Sequence, residues 1–263
     1  MRLEELAKKL DDLLEPSLAY SWDNVGLTIG RREQKISKVL LTLEVTMAVI
    51  EEAKAKKADL IVSHHPFLFR GLKAVVDGEE KGRQVYELIK NDIAVYSCHT
   101  NYDIMEGGLN DYAAGLLGLK KVQRLTCPES EDRGIGRYGE LEIEMRPKDF
   151  ADYVREKLGM PYLRMICGHD RKIKKVGLVT GAGVEFLAAS IDRDCDAFLT
   201  GDIKYHEAQD ALQAGYVVLD AGHYGTEIIF NQSMREFLGR KLDVSLEYIE
   251  SETLQDPFVF VSS

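Results

Sequence analysis

Histidines in this sequence fall where strands of a buried sheet are predicted to end. The stretch "ADLIVSHHPFLF" (58–69) places His64 and His65 side by side after an apolar run. Successive side chains of a strand point to opposite faces, so neighbouring histidines share a site only where the strand has ended. Pro66 disfavours a helical conformation at His65 and keeps it extended. We therefore expect the two rings to diverge, so that each can bind a different metal ion.

Two further segments place the same residue types after predicted strands. "HTNYD" carries His99 and Asp103, and "GHYGTE" carries His223 and Glu227. Of the six histidines in the chain, only His169 does not lie at or just beyond such a strand end. Histidine with aspartate and glutamate, and without cysteine, is a ligand set for catalytic Zn, Mn, Fe, Co or Ni.

Three imidazoles and two carboxylates form the candidate metal-ligand set, which is His64, His65, Asp103, His223 and Glu227. A catalytic zinc usually takes three protein ligands and a water, so five ligands exceed the need of one ion. They suit two ions about 3.5–4 Å apart that carboxylates can bridge. We expect two divalent ions per chain, zinc first, with Fe, Mn, Co or Ni as alternatives. For any single histidine a structural role is the commoner explanation, and Glu227 alone could be an acid in a first helical turn.

Two other histidines are candidate catalytic residues. His99 could hydrogen-bond a ligand carboxylate or contact the substrate. His206, in "TGDIKYHEA", could transfer protons or simply lie on a helix surface, with Asp202 as the cap of that helix. "GIGRYG", with Arg133 and Arg137, could cradle a phosphate, although a hairpin turn is the favoured explanation.

These residues are positioned by an alternation of strands and helices, which is typical of α/β domains with mainly parallel sheets. Thr46 is the predicted N-cap of the helix that follows the first apolar strand. The alternation runs once to about residue 120 and then resumes, so we predict two α/β lobes. The predicted boundaries are 1–123, to which 240–263 could return, and 124–239.

Composition excludes several classes of protein. The net charge of −10 argues against nonspecific binding to nucleic acid, which favours basic surfaces. No apolar run approaches the ~20 residues that span a bilayer, and the charged N-terminus has no signal-peptide core. None of the four cysteines forms a C-x-x-C pair that would indicate a zinc ribbon. We expect a cytoplasmic protein without membrane or nucleic-acid partners.

The sequence resembles the Nif-three-like family, described as dinuclear metal centre hexameric proteins and as GTP cyclohydrolase I type 2 homologues. The resemblance covers essentially the full chain and rests on six motifs, which are "SWDNVGL", "SHHP", "HTNYD", "GIGRYGEL", "TGDIKYHEA" and "DAGHYGTE". It implies two α/β lobes, a toroidal homohexamer and a two-metal centre in the cleft between the lobes, held by the ligand set given above. Glu44 stands where the resemblance implies an aspartate.

Two functions are compatible with this pattern. The first is a metal-dependent hydrolase acting on a nucleotide-like or phosphoester substrate; the family label implies opening of a purine ring in GTP. The second is a non-catalytic protein that stores metal, regulates, or acts as an interaction scaffold. A purely structural zinc is disfavoured, because such sites are usually closed and rich in cysteine.

Overall fold

The computed structural model describes residues 1–127 and 134–259. It divides into two compact units, one comprising Met1–Met105 with Phe230–Ser263 and the other comprising Glu106–Ile229. Each unit has its own β-sheet and flanking helices, so the expected α/β class is confirmed. No helix within the described ranges is both long enough and apolar enough to cross a membrane.

The strands of the described chain are β1 (Gly26–Ile29), β2 (Lys38–Thr42), β3 (Leu60–Ser63), β4 (Ala94–Ser97), β5 (Lys120–Leu125), β6 (Gly136–Met145), β7 (Arg164–Cys167), β8 (Ile173–Ala182), β9 (Ala197–Gly201), β10 (Val217–Asp220) and β11 (Glu247–Glu250). The helices are α1 (Leu3–Leu14), α2 (Met47–Lys56), α3 (Glu80–Lys90), α4 (Thr100–Ile104), α5 (Leu109–Leu116), α6 (Pro147–Lys157), α7 (Leu187–Asp192), α8 (Tyr205–Gln213), α9 (His223–Glu227) and α10 (Phe230–Lys241).

The sheet of the first unit has the order β1-β4-β3-β2-β11. Its last four strands are parallel, and β1 runs antiparallel to β4. The last residues of three central strands, Thr42, Ser63 and Ser97, lie opposite one another in register. The segments that follow β2, β3 and β4 therefore all begin at the same edge of the sheet.

Helices α2 and α3 pack on this sheet through a continuous apolar core. Thr46 caps α2, as the sequence predicts, because its hydroxyl accepts the N–H of Val49 at 3.2 Å. The core residues share β-branched or aliphatic side chains that are almost completely buried, and they include Leu40, Val49, Ile50, Ile61, Val85, Leu88 and Val95. Burial of such side chains contributes about 1.5–3 kcal/mol each, which makes this face the main source of stability for the strand ends.

The second unit has a six-stranded sheet of order β5-β6-β8-β9-β10-β7. β8, β9 and β10 are parallel, whereas β5, β6 and β7 each run antiparallel to a neighbour. The sequence predicts β6 as an antiparallel or edge strand, and it is antiparallel but interior. The sequence does not predict the short strands β1, β5 and β7, because β5 and β7 lack a clear two-residue period and β1 has only four residues.

The unit boundaries, at residues 105/106 and 229/230, differ from those that the alternation suggested. Two helices account for the difference. α5 packs on β6 and β8, and α10 packs on β2 and β11. The pattern showed that both were helices but carried no information on which sheet each would cover. The segment "PFVFVSS" (257–263) is strand-like in sequence, but residues 257–259 form no strand, and 260–263 lie outside the described residues.

A buried carboxylate fastens the segment after β11 to α2. Glu52 accepts hydrogen bonds from the side chains of Lys56 (2.7 Å), Ser251 (2.6 Å) and Thr253 (2.9 Å), and from the N–H of Glu252 (3.0 Å). Burial raises the pKa of Glu52, but these donors outweigh it and lower the pKa to about 2. The ionised form is therefore the one that the fold stabilises.

We expect Glu52→Gln to destabilise the protein by about 2 kcal/mol at neutral pH, because it removes a charge that four donors stabilise. The folded-state pKa lies below the ordinary value, so this stability is present above about pH 4.5 and is lost as pH falls towards 2. Chemical denaturation at several pH values measures the difference between the two proteins, which should shrink over that window. Glu51→Gln, whose carboxylate is 56% exposed beside Lys54, is the control and should change stability by less than about 0.5 kcal/mol. If the stability difference between Glu52→Gln and the wild type does not change with pH, Glu52 is not the stabilising ionised group proposed here.

Candidate metal centre

The histidine doublet lies directly after β3. The N–H groups of His64 and His65 donate to the carbonyls of Thr42 (3.1 Å) and Leu43 (2.9 Å), which holds the backbone beside the chain that leaves β2. The ring of His64 is fully buried, and that of His65 is 22% exposed. Their ring centroids are 5.4 Å apart, with an interplanar angle of 34°.

His99, which follows the neighbouring strand β4, completes a cluster of three imidazoles. Its ring centroid lies 5.2 Å from that of His64 and 5.7 Å from that of His65. One ring nitrogen of each of the three histidines lies within 4.8 Å of the others. Both rings of the doublet therefore lie beside a third ring. His99 was expected beside the metal ligands, and the structure places it among the candidate ligands themselves.

The Nδ1 atoms of the doublet point away from this cluster. His64 Nδ1 donates to the carbonyl of Cys98 at 3.0 Å, and His65 Nδ1 donates to the carboxylate of Glu44 at 2.7 Å. A carbonyl or carboxylate oxygen carries no proton, so each Nδ1 must hold one, and each neutral ring then has its lone pair on Nε2. This pattern is common among metal-binding histidines. Glu44, which stands where the resemblance implies an aspartate, is the acceptor for His65.

Asp23 orients the third ring. Its side chain is fully buried and accepts from His99 Nδ1 (3.0 Å), from the Thr100 N–H (3.1 Å) and from the Thr100 hydroxyl (2.6 Å). Burial raises the pKa of Asp23, but the hydrogen bonds from His99 and Thr100 lower it below the ordinary value overall. Sequence reasoning did not assign Asp23 a role; its only signal was its place in "SWDNVGL".

Asp103 lies on α4, one turn after His99. Its carboxylate Oδ1 is 3.6 Å from His64 Nε2, and the side chain is 7% exposed. The neighbouring Tyr102 anchors the helix, because its buried hydroxyl shares a 2.7 Å hydrogen bond with that of Ser233. Burial raises the pKa of this phenol, so Tyr102 remains neutral. Asp103 is therefore held towards His64 by a short, firmly packed helix.

The second unit presents a histidine and a carboxylate on one turn of α9. His223 Nε2 is 3.0 Å from Glu227 Oε2, and His223 Nδ1 is 2.8 Å from Asp202 Oδ2. Asp202 does not cap α8, since Lys204 directly precedes that helix; it adopts a positive φ of 59° and faces His223. Glu227 is buried, whereas His223 is 36% exposed.

His223 faces carboxylates on both ring nitrogens. A neutral imidazole has one N–H, so it can donate to only one of Asp202 and Glu227. Both carboxylates have a partner if the ring is a doubly protonated imidazolium, or if a cation lies between Nε2 and Glu227. The second solution leaves the proton on Nδ1, as in the three histidines of the first unit.

The spacing of these atoms fits metal binding. Two nitrogen or oxygen ligands of a tetrahedral zinc ion, each about 2.0–2.1 Å from it, lie about 3.3 Å apart. The pairs His64–Asp103 and His223–Glu227 stand at 3.6 and 3.0 Å. Both pairs therefore present one nitrogen and one oxygen at a separation that a single divalent ion can bind.

Two other expectations have different outcomes. His206 lies on the exposed surface of α8, with its ring 5.4 Å from that of Tyr205. Arg137 is buried, and its guanidinium donates to both oxygens of Asp111 and to three backbone carbonyls, so it is not available to cradle a phosphate. Arg133 lies outside the described residues.

Comparison with known proteins supports the resemblance. The sequence model of the Duf34/NIF3 (NGG1p interacting factor 3) family matches residues 1–257. The chain belongs to the Duf34/NIF3 family. A relative from Clostridium perfringens, named "GTP cyclohydrolase 1 type 2 homolog", is 37% identical over 262 residues that cover 99% of this chain and 100% of the relative.

Solved structures of Duf34/NIF3-like chains share the fold. A hypothetical protein from Staphylococcus aureus is 27% identical with a TM-score of 0.90, and the match covers 99% of both chains. A Bacillus cereus protein described as related to NIF3 also has a TM-score of 0.90 over 99% of both chains, at 24% identity. The second match bears on the fold alone.

Gly181 offers a test of the Glu227 position. A Cβ at this residue, which has a φ of +66°, would collide with the Glu227 carboxylate. Gly159 has almost the same φ, +65°, with no atom within 4 Å of the added Cβ. We expect Gly181→Ala and Gly159→Ala to cost similar stability, about 1–2 kcal/mol from the left-handed backbone. Only Gly181→Ala should weaken zinc binding, by about tenfold or more, because it displaces the carboxylate. Competitive zinc titration measures this, and equal affinities in the two variants would contradict it.

Proposed function

We propose that this protein is a divalent-metal-dependent hydrolase that acts on a nucleotide-like or phosphoester substrate. The observation that supports this most directly is the convergence of ring nitrogens from His64, His65 and His99 within 4.8 Å. Each of these rings has its Nδ1 proton fixed by an oxygen acceptor. Such orientation is typical of ligands that are prepared before a metal binds.

The proposed ligands of two ions per chain are His64, His65, Asp103, His223 and Glu227. Nitrogen and oxygen donors without thiolates suit zinc and also iron, manganese, cobalt or nickel. Such ions would lower the pKa of a bound water and would stabilise negative charge that develops on the substrate. The two carboxylates, which are nearly buried, balance part of the positive charge and would fix the positions of the ions.

His99 belongs to the cluster of three imidazoles but not to the five proposed ligands, and it is the proposed proton acceptor. Asp23 holds its Nδ1–H, so Nε2 faces the other histidines with its lone pair and can accept a proton from the attacking water. The imidazolium that forms is then stabilised by the buried, ionised Asp23 carboxylate. His206 is less suited to this role, because it is exposed on α8 and its ring contacts Tyr205.

Partial exposure of the ligands favours an enzyme over a storage protein. His65 and His223 are 22% and 36% exposed, so water and small molecules can reach their rings. Storage and structural sites are usually closed around the metal, whereas catalytic sites keep an open position. The name of the Clostridium perfringens relative makes GTP the first substrate to test.

We expect purified protein to contain two divalent ions per chain by elemental analysis. His65→Ala and Glu227→Ala should each lower that content, because each removes a proposed ligand. His206→Ala is the matched control and should leave it unchanged. Unchanged metal content in both ligand variants would refute the ligand assignment.

Hydrolysis is tested separately with the metal-loaded protein against GTP, other nucleotides and simple phosphoesters. We expect turnover by the wild type and a loss of at least about 100-fold in Glu227→Ala, on the scale of removing one catalytic group. Equal turnover in Glu227→Ala would place the activity at another site. Full metal content without turnover of any substrate would favour the scaffold or storage alternative.

The homohexamer remains a prediction from the family resemblance. Sedimentation equilibrium should give a particle of six times the 29.6 kDa chain mass. A monomer or dimer at micromolar concentration would contradict it.

A further inference from the structure

Exposed aromatic side chains lie beside the histidine cluster of the first unit. Trp22, the only tryptophan of the chain, is 55% exposed, and Phe69 is 48% exposed. Their rings meet edge to face with centroids 6.0 Å apart, and Tyr20 lies 5.6 Å from Trp22. The Trp22 ring is also 6.1 Å from that of His99. The aromatic surface therefore continues directly into the histidine cluster through His99.

The surrounding hydrogen bonds hold this surface rigidly. Asp23, the residue after Trp22, is the buried carboxylate that accepts from His99 and Thr100. The next residue, Asn24, donates a hydrogen bond from its side-chain amide to the carbonyl of Leu68, which precedes Phe69. The loops that carry Trp22 and Phe69 are therefore tied to each other and to the segment that carries His99.

Both rings are exposed, on loops that the hydrogen bonds of Asp23 and Asn24 hold in place. A single exposed apolar residue is ordinary. Two exposed aromatic rings that contact each other at 66° and lie adjacent to a histidine cluster form instead an angled aromatic surface, in which one ring can stack on a ligand and the other borders it. Preorganisation reduces the entropy lost on binding, and indole and phenyl faces stack well on flat conjugated rings.

We propose that Trp22, bordered by Phe69 and Tyr20, forms a stacking platform for a planar heteroaromatic ring of the substrate. This inference rests on the proposed function for the chemistry at the neighbouring histidines, and it narrows the substrate class. A ring stacked on Trp22 lies next to His99, so the bond to be hydrolysed belongs to the ring itself or to a group attached to it. A simple phosphoester without such a ring uses none of this surface.

Fluorescence of the single tryptophan tests the platform directly. Guanosine and adenosine should quench Trp22 emission in a saturable manner, because stacking brings the base against the indole. Ribose 5-phosphate, which lacks the ring, should leave the emission unchanged. The titration is made with both the metal-free and the zinc-loaded protein. It therefore reports on stacking whether or not the metal proposal holds.

Variants separate stacking from a general effect on structure. Equilibrium dialysis should show nucleoside binding about 5- to 100-fold weaker in Trp22→Leu, with most affinity restored in Trp22→Phe, since base stacking on one aromatic ring accounts for that range. Tyr86→Leu removes another exposed aromatic ring, 53% exposed on α3, and should bind as the wild type does. Metal content should be unchanged in all three variants.

Each outcome has a distinct meaning. Absence of quenching, or equal nucleoside affinity in Trp22→Leu and the wild type, would overturn the platform while leaving the metal assignment intact. Saturable quenching in a protein that binds no metal would support the platform and refute the proposed function. Loss of nucleoside affinity in Tyr86→Leu as well would also overturn the platform, because the effect would not be specific to the surface around Trp22.

Discussion

Hydrogen bonds that histidine Nδ1 atoms donate to fixed oxygen acceptors are the constraint on which the candidate site depends. An imidazole can rotate and exchange its proton between two nitrogens, so an isolated histidine presents no fixed donor atom. Oxygen acceptors remove that freedom in His64, His65, His99 and His223. Three of those acceptors are carboxylates and one is a backbone carbonyl. In His64, His65 and His99 the arrangement keeps the Nε2 lone pairs available for cations and raises their basicity.

The register of the first sheet brings these acceptors and donors together. Because Thr42, Ser63 and Ser97 end three adjacent strands in register, the residues that follow them emerge at one edge. The hydroxyls of Ser63 and Ser97 are 3.0 Å apart, and Ser63 also donates to the carbonyl of His65. Polar side chains thus replace the apolar core at the point where the strands end. A ligand site at the carboxyl edge of parallel strands is the usual consequence of this topology.

The second unit reaches a similar arrangement by helical spacing instead of strand register. His223 and Glu227 stand four residues apart on α9, which places them on the same side of one turn. Asp202, in a left-handed conformation after β9, reaches His223 from another element. Glycine at 181 leaves room for the Glu227 carboxylate, because any larger residue would occupy its position. Packing therefore restricts this pair as closely as hydrogen bonds restrict the histidines of the first unit.

The sequence by itself determined the α/β class, the Thr46 cap and the residue types that stand after each buried strand. These features follow from local periodicity and from the chemistry of neighbouring residues. Tertiary structure alone decided the partners. Asp23 and His99 are 76 residues apart, and Asp202 and His223 are 21 apart, so no local pattern could pair them. The same holds for Arg137, whose buried charge is balanced by Asp111 on another element and not by a ligand. Periodicity shows which face of an element is apolar. Only tertiary packing determines which residues that are distant in sequence come into contact.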